Sequence, residues 1–259
     1  MHEGSRLAMA VLMVAVLGSG GELMAASAPA RSATNVVLVH GAFADGSSWS
    51  KVIPLLQARG LRVTAVGLPL TSFADDVAAT RRAIAAQDGP TVLVGHSYGG
   101  VVITEAGNDA KVASLVYVAA FAPDTGQSIG EISKDFPKPA GLDELRPQGD
   151  GFLLLSPKGI QEDFAQDLTA SEKALLVAVQ RQTAGAIFEA KPTAAAWRNK
   201  PSWYVVSTND RMIAPEQEKA MAAQIKAKTT VLPASHVVML SHPTAVAKAI
   251  EEAAAAARN

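Results

Sequence analysis

The segment that most constrains this chain is Thr91-Val92-Leu93-Val94-Gly95-His96-Ser97-Tyr98-Gly99-Gly100. Its first four residues are β-branched or aliphatic without alternation, the pattern of a strand buried on both faces. A G-x-S-x-G motif follows at once, and a helical run begins at Gly100. A strand that turns into a helix within so few residues holds the central serine in a strained conformation and exposes its hydroxyl. Side chains at positions 95 and 99 would strike the neighbouring elements, which accounts for glycine at both. The motif therefore points to a nucleophile, Ser97, and to the layered sheet and helix that such a turn requires.

The remainder of the chain supplies that frame. Short β-branched, mostly apolar runs recur at Val36–Val39, Arg62–Val66, Ser114–Val118, Trp203–Val206 and Thr229–Leu232. Between them lie helical patterns at Trp49–Arg59, closed by Gly60, at Phe73–Gln87, and at Pro243–Ala257. Strands alternating with helices predict an α/β fold with a mostly parallel, doubly wound sheet of about six strands. The stretch from about 122 to 197 breaks the rhythm. It opens rich in proline and glycine, then reads as a helix over Ser171–Ala190 with Ser171 as a candidate cap. An insertion this long between two core strands predicts a helical lid. With 259 residues, 49% of them hydrophobic, the chain can bury one substantial core.

A serine hydroxyl is a weak nucleophile until a base takes its proton. Of five histidines, His2 lies in the leader, His40 ends the first strand, His96 must point away from Ser97, and His242 sits beside Pro243 at a helix start. His236, in a loop just after the last strand, is the candidate base. The acid that orients such a base follows a strand and lies between serine and histidine in chain order. Asp210, after the strand ending at Val206, fits, and Asp124 is the substitute. The oxyanion needs two backbone N–H donors. Tyr98 supplies one, and the loop His40-Gly41-Ala42-Phe43 supplies the other, with Ala42 the expected donor and Phe43 the fallback. Phe43, Trp49, Tyr98, Phe121, Trp197 and Met239 are candidates for an apolar substrate pocket.

Other chemistries find no footing in the sequence. There is no cysteine, hence no thiolate nucleophile and no cysteine metal site. No G-x-G-x-x-G follows a strand, no Walker motif or H-E-x-x-H occurs, and no histidine pair has ligand spacing. No cofactor and no metal are expected. A net charge of −1 argues against nucleic acid as a partner. At the other end of the argument, Arg6 precedes the apolar run Leu7–Leu17, too short to cross a bilayer, and Ala26-Ser27-Ala28 has an A-x-A look. Residues 1–28 are expected to be an export signal, leaving a periplasmic or secreted domain that starts near Thr34 and has no membrane association. A start placed too early would instead leave the chain cytoplasmic.

The residues Val36-Val37-Leu38-Val39-His40-Gly41-Ala42, Trp49, Pro54-Leu55-Leu56, Gly95-His96-Ser97-Tyr98-Gly99-Gly100, and His236 seven positions before Pro243 resemble the α/β-hydrolase superfamily. The similarity is to its branch of plant methylesterases, hydroxynitrile lyases and bacterial pyrethroid-hydrolase-like esterases. The resemblance implies a Ser97–His236–Asp210 triad and oxyanion donors at Ala42 and Tyr98. It also implies a reaction class. The lyases of this branch carry threonine where this chain has Gly41, and lysine where it has Val237. That lysine supplies positive charge to departing cyanide, which Val237 cannot. The expectation is a serine esterase acting on a small-molecule ester through an acyl-enzyme. The alternatives are a lyase or C–C hydrolase on the same triad, and a non-catalytic binding protein on the same fold.

Overall fold

The computed structural model describes Met1 and residues 33–257; the expected export signal, 1–28, lies outside the described residues apart from Met1. Six strands, β1 (Asn35–Val39), β2 (Arg62–Val66), β3 (Thr91–Ser97), β4 (Val112–Ala120), β8 (Ser202–Ser207) and β9 (Lys228–Leu232), form one sheet in the order β2-β1-β3-β4-β8-β9. Every pairing in it is parallel. The mostly apolar runs have their physical counterpart here: β1 and β3 are buried at every position because helices cover both faces of the sheet. Strands at the sheet's margins, β2 and β9, are half exposed.

The strand order reverses between β1 and β3. The chain leaves β1 toward β2 on one side and leaves β3 toward β4 on the other, so the loops after β1 and β3 open a crevice at their carboxyl ends. Ser97 ends β3, and His40-Gly41-Ala42 follows β1, which puts both lips of that crevice next to each other.

Helix Phe73–Ala85 starts at Ser72, whose hydroxyl accepts the Asp75 N–H. Helix Gly99–Ala106 runs on directly from the Ser97 turn, and Pro243–Ala256 closes the chain. The run expected as one helix over Trp49–Arg59 divides into a 3-10 turn, Gly46–Trp49, and a helix, Ile53–Ala58. Pro54 accounts for the break: it has no N–H to give to a carbonyl of a preceding turn, so it sits in the first turn of a new helix and not in the interior of a longer one.

Between β4 and β8 lies the insertion, and it is not purely helical. Helices Ile129–Ser133 and Ala170–Val179 are joined by an antiparallel sheet of β5 (Leu145–Gly149), β6 (Phe152–Leu155) and β7 (Thr183–Ala184), in that order. The helix expected to reach Ala190 ends at Val179, and its cap is Thr169 rather than Ser171. Thr169 and Glu172 form a capping box. The early stop follows from Gln180, which turns extended and clips its amide to both backbone groups of Leu155, at 3.1 and 3.0 Å. That clip draws the following residues onto β6 as β7. Among the described residues, no helix is long and apolar enough to cross a membrane.

Candidate active site

Ser97 sits at the carboxyl end of β3 with φ +53°, left-handed backbone that a side-chain-bearing residue adopts only when its surroundings impose it. The imposition is steric. A Cβ at position 95 would lie 2.6 Å from the Gly99 carbonyl oxygen, and one at position 99 would lie 2.7 Å from the Val39 and His40 carbonyl oxygens. Only two glycines let strand, turn and helix approach this closely.

His236 lies in the loop after β9 and Asp210 in the loop after β8. Both are buried, and the His236 Nδ1 is 2.6 Å from Asp210 Oδ2. The other oxygen, Asp210 Oδ1, accepts the N–H groups of Met212 at 2.6 Å and Ile213 at 3.0 Å. Three donors thus converge on one carboxylate, the condition for keeping it ionised out of water. Such a carboxylate holds the imidazole with its proton on Nδ1, leaving Nε2 to act as a base.

Two further histidines hold the frame. The His96 ring points away from Ser97, and its Nε2–H donates to the His236 carbonyl at 3.0 Å. Burial pushes the His96 imidazole well below its ordinary range, so it stays neutral beside His236. His40 accepts the Leu68 N–H on Nε2 at 3.0 Å, which leaves its proton on Nδ1 to donate to the Gly41 carbonyl at 2.9 Å. Burial lowers His40 to about 4.

The Phe43 N–H is committed to Thr183 Oγ1 at 3.0 Å. Among the described residues, the N–H groups of Ala42 and Tyr98 donate to no protein acceptor. Of the two loop candidates, Ala42 therefore has the available donor. The Tyr98 side chain turns inward, away from any substrate: its hydroxyl donates to Asp76 Oδ2 at 2.9 Å.

Ala42, Ser97 and His236 open onto a single cavity of about 270 Å³. Its walls are apolar, with Phe43, Phe121, Phe164, Phe188, Leu142 and Met212 prominent, and Glu189 is its only carboxylate among the described residues. Of the expected pocket residues, Phe43 and Phe121 line it. The other four do not, Tyr98 being turned to Asp76 as described. Trp49 is fully buried, set edge-on to the His96 ring at 6.4 Å. Trp197 donates its Nε1–H to the Pro123 carbonyl at 2.9 Å and carries the Arg198 guanidinium over its face. Met239 is packed into the core with no exposure. The sequence reading missed Phe164 and Phe188, which lie in the insertion where no periodicity marks an inward face; Phe164 packs 5.2 Å from the His236 ring. Asp124, the substitute acid, is paired with Arg198 near the surface and lies outside the cavity.

The insertion grips each of the loops just described. Gln166 donates to the Asn209 carbonyl at 2.6 Å, the Arg211 guanidinium donates to the Glu162 carbonyl at 3.0 Å, and Asp167 accepts the Ser235 N–H at 2.8 Å. Asn209 and Arg211 flank Asp210, and Ser235 precedes His236. The segment expected as a lid is thus also a brace for the site.

Comparison with known proteins places the chain. A match to the alpha/beta hydrolase family covers residues 36–249. Pyrethroid hydrolase of Sphingobium wenxiniae is 27% identical over 255 residues, spanning 85% of this chain and 87% of that protein. Alpha-hydroxynitrile lyase of Arabidopsis thaliana is 26% identical over 239 residues, spanning 80% and 92%. The crystal structure of a pyrethroid hydrolase from Sphingobium faniae matches with a TM-score of 0.75 at 24% identity, covering 85% of this chain and 97% of that one, a likeness of fold. The family match reaches from β1 into the last helix, and the chain belongs to the alpha/beta hydrolase family.

Proposed function

We propose that this chain hydrolyses uncharged, apolar carboxylic esters through an acyl-enzyme. The observation that carries the reading is the sharing of one apolar cavity by Ser97, held at φ +53°, and His236, itself 2.6 Å from the Asp210 carboxylate. Ser97 Oγ attacks the ester carbonyl carbon while His236 Nε2 takes its proton. The carbonyl oxygen, now negative, rests on the Ala42 and Tyr98 N–H groups. As the carbon–oxygen bond breaks, His236 returns the proton to the departing alkoxide and an alcohol leaves. A water, deprotonated by the same base, then attacks the acyl-Ser97 ester and releases the acid.

The cavity supports the substrate class. Among the described residues it offers aromatic and aliphatic walls, no lysine or arginine, and one carboxylate, Glu189. A substrate arm bearing a carboxylate would enter without a counter-charge and beside a like charge, which is unfavourable in a site of low dielectric. The same lack of a cation weighs against the cyanohydrin-lyase alternative. Departing cyanide needs positive charge, Val237 is apolar and buried, and the Arg211 guanidinium is turned to Glu162 and Asp163.

Fluorophosphonate labelling followed by peptide mass spectrometry tests the nucleophile: adduct is expected on Ser97 and none on the Ser97→Ala protein. An ester panel tests the class, with neutral aryl esters of apolar acids turned over and half-esters bearing a free carboxylate turned over poorly. A wild-type protein that releases cyanide from mandelonitrile as fast as it cleaves esters would overturn the assignment.

A further inference from the structure

We propose that Glu218 is a positioning residue for the acid–base pair: a carboxyl held in its protonated form whose hydroxyl donates to the Asp210 carboxylate. The proposal rests on the reading of Asp210 as the acid that orients His236.

Glu218 lies in helix Pro215–Gln224, directly after the Asp210 loop, and is completely buried. Its Oε2 accepts the Ser207 N–H at the end of β8 at 3.0 Å. Its Oε1 is sealed from solvent, and no donor reaches it among the described residues. Beside it stands the Asp210 carboxyl, whose negative charge disfavours the ionised form of Glu218. The other groups facing Glu218 do not offer a proton: the Tyr204 hydroxyl from β8 is committed to the Ala120 carbonyl, and Lys219 on the same helix acts only at a distance.

Two adjacent carboxylates out of water cannot both stay ionised. Asp210 is the one equipped for charge, with two N–H donors on Oδ1 and the His236 ring on Oδ2. Glu218 has a single N–H donor. The shared proton therefore resides on Glu218, and because Oε2 already accepts from Ser207, it resides on Oε1. Burial and the neighbouring Asp210 charge both push the Glu218 carboxyl well above the usual carboxylate range. The orphan oxygen is thereby explained: it is a donor, not an unpaired acceptor. In this arrangement Glu218 never touches substrate. It adds a fourth hydrogen bond to Asp210 and fixes the plane in which that carboxylate meets His236.

Infrared difference spectroscopy of the full chain at neutral pH, wild type minus Glu218→Gln, tests the protonation state without requiring turnover. The expected result is a carboxylic-acid C=O stretch present in wild type and absent in the variant; an ionised-carboxylate signature instead overturns the proposal. Kinetics test the role. Glu218→Gln keeps an N–H donor toward Asp210 and a carbonyl toward Ser207, and should retain kcat on a neutral aryl ester within about threefold. Glu218→Met keeps volume and loses the donor, and should lower kcat by about tenfold or more at nearly unchanged KM. A Glu218→Met enzyme as fast as wild type also overturns the proposal. A wild type that cleaves no ester while the infrared band persists overturns the hydrolase reading instead.

Discussion

Tyr98 donates its hydroxyl to Asp76, 2.9 Å away on helix Phe73–Ala85, and the other oxygen of Asp76 accepts the Leu70 N–H at 2.8 Å. The residue after the serine is thereby bolted to the helix that packs beside Gly99–Ala106. Its backbone N–H is one of the two candidate oxyanion donors, so a side chain that never meets substrate sets the direction of a donor that would. Tyr98→Phe removes only the hydroxyl. It should lower stability by about 1–3 kcal/mol, because Asp76 stays buried with a donor missing. It should also reduce kcat more than it changes KM. Denaturant melts and steady-state kinetics on one aryl ester check both, and an unchanged kcat would mean the backbone holds its direction unaided.

The two aspartates that sequence order left open now differ in surroundings. Asp210 is buried against His236, whereas Asp124 faces Arg198 near the surface, and that pairing holds its carboxyl below the usual range. Asp210→Asn should cost about three or more orders of magnitude in kcat, as loss of the orienting carboxylate does in serine triads. Asp124→Asn should leave kcat within about twofold and at most trim stability, since surface ion pairs contribute little. The reverse ordering in the measured rates would transfer the role to Asp124.

The six parallel strands were legible because short, mostly apolar β-branched runs leave no other interpretation once helices separate them. Ser97, Asp210 and His236 were legible as candidates because each follows a strand, and the carboxyl ends of parallel strands share one edge. The pocket was not. Trp49 and Phe164 are equally apolar on paper, yet one packs behind His96 and the other faces the cavity, and only the path of the insertion decides between them. Glu218 was illegible for a different reason. Pro215-Glu216-Gln217-Glu218-Lys219 reads as a solvated helix start, and nothing in its spacing shows that position 218 turns toward β8.

Gly41 separates this chain from its lyase relatives by geometry as well as by residue type. A Cβ at position 41 would lie 2.7 Å from Ser97 Cβ and 3.1 Å from His96 Nδ1. Neither neighbour is the free end of a flexible chain, so the serine turn itself would have to shift. Gly41→Ala should therefore lower kcat by about two orders of magnitude, since misplacement near 1 Å at a reacting centre costs that much. Gly41→Thr combined with Val237→Lys, the lyase residues at both positions, should lose esterase activity for the same reason. Full esterase activity in Gly41→Ala would show that the turn can yield.

Stability should fall on the acid side of neutrality, and His40 gives the window. Its ordinary value is 6.5 and burial lowers it to about 4 in the folded protein. Between those two pH values the unfolded chain binds a proton that the folded chain refuses, so folding loses ground as pH falls through this range and the loss levels off below it. The shift corresponds to about 3 kcal/mol. His96, also held low by burial, adds to the loss with the same sign. Urea midpoints measured from pH 7 to pH 4 should drop steeply in wild type and less steeply in His40→Gln, whatever the variant's stability at pH 7. Parallel slopes would assign the acid sensitivity elsewhere.

The brace supplied by the insertion leads to the last expectation. Phe43 has φ +62°, lines the cavity and follows Ala42. Both of its backbone groups are tied to the insertion: its N–H to Thr183 Oγ1 at 3.0 Å, and its carbonyl to the Arg181 N–H at 3.2 Å. The Thr183 hydroxyl thus holds a strained residue in place and occupies an N–H that would otherwise compete with Ala42 for the oxyanion. Thr183→Val preserves shape and deletes the acceptor. The buried Phe43 N–H then lacks a partner, which costs about 1–3 kcal/mol, and the loop beside Ala42 is released. We expect kcat to fall by about tenfold and inactivation by a phosphonate, whose oxygen sits where the oxyanion forms, to slow in proportion. Thr183→Ser, which restores the acceptor, should recover both. If Thr183→Val is merely less stable, with kcat and phosphonate inactivation unchanged, the insertion covers the site without shaping it.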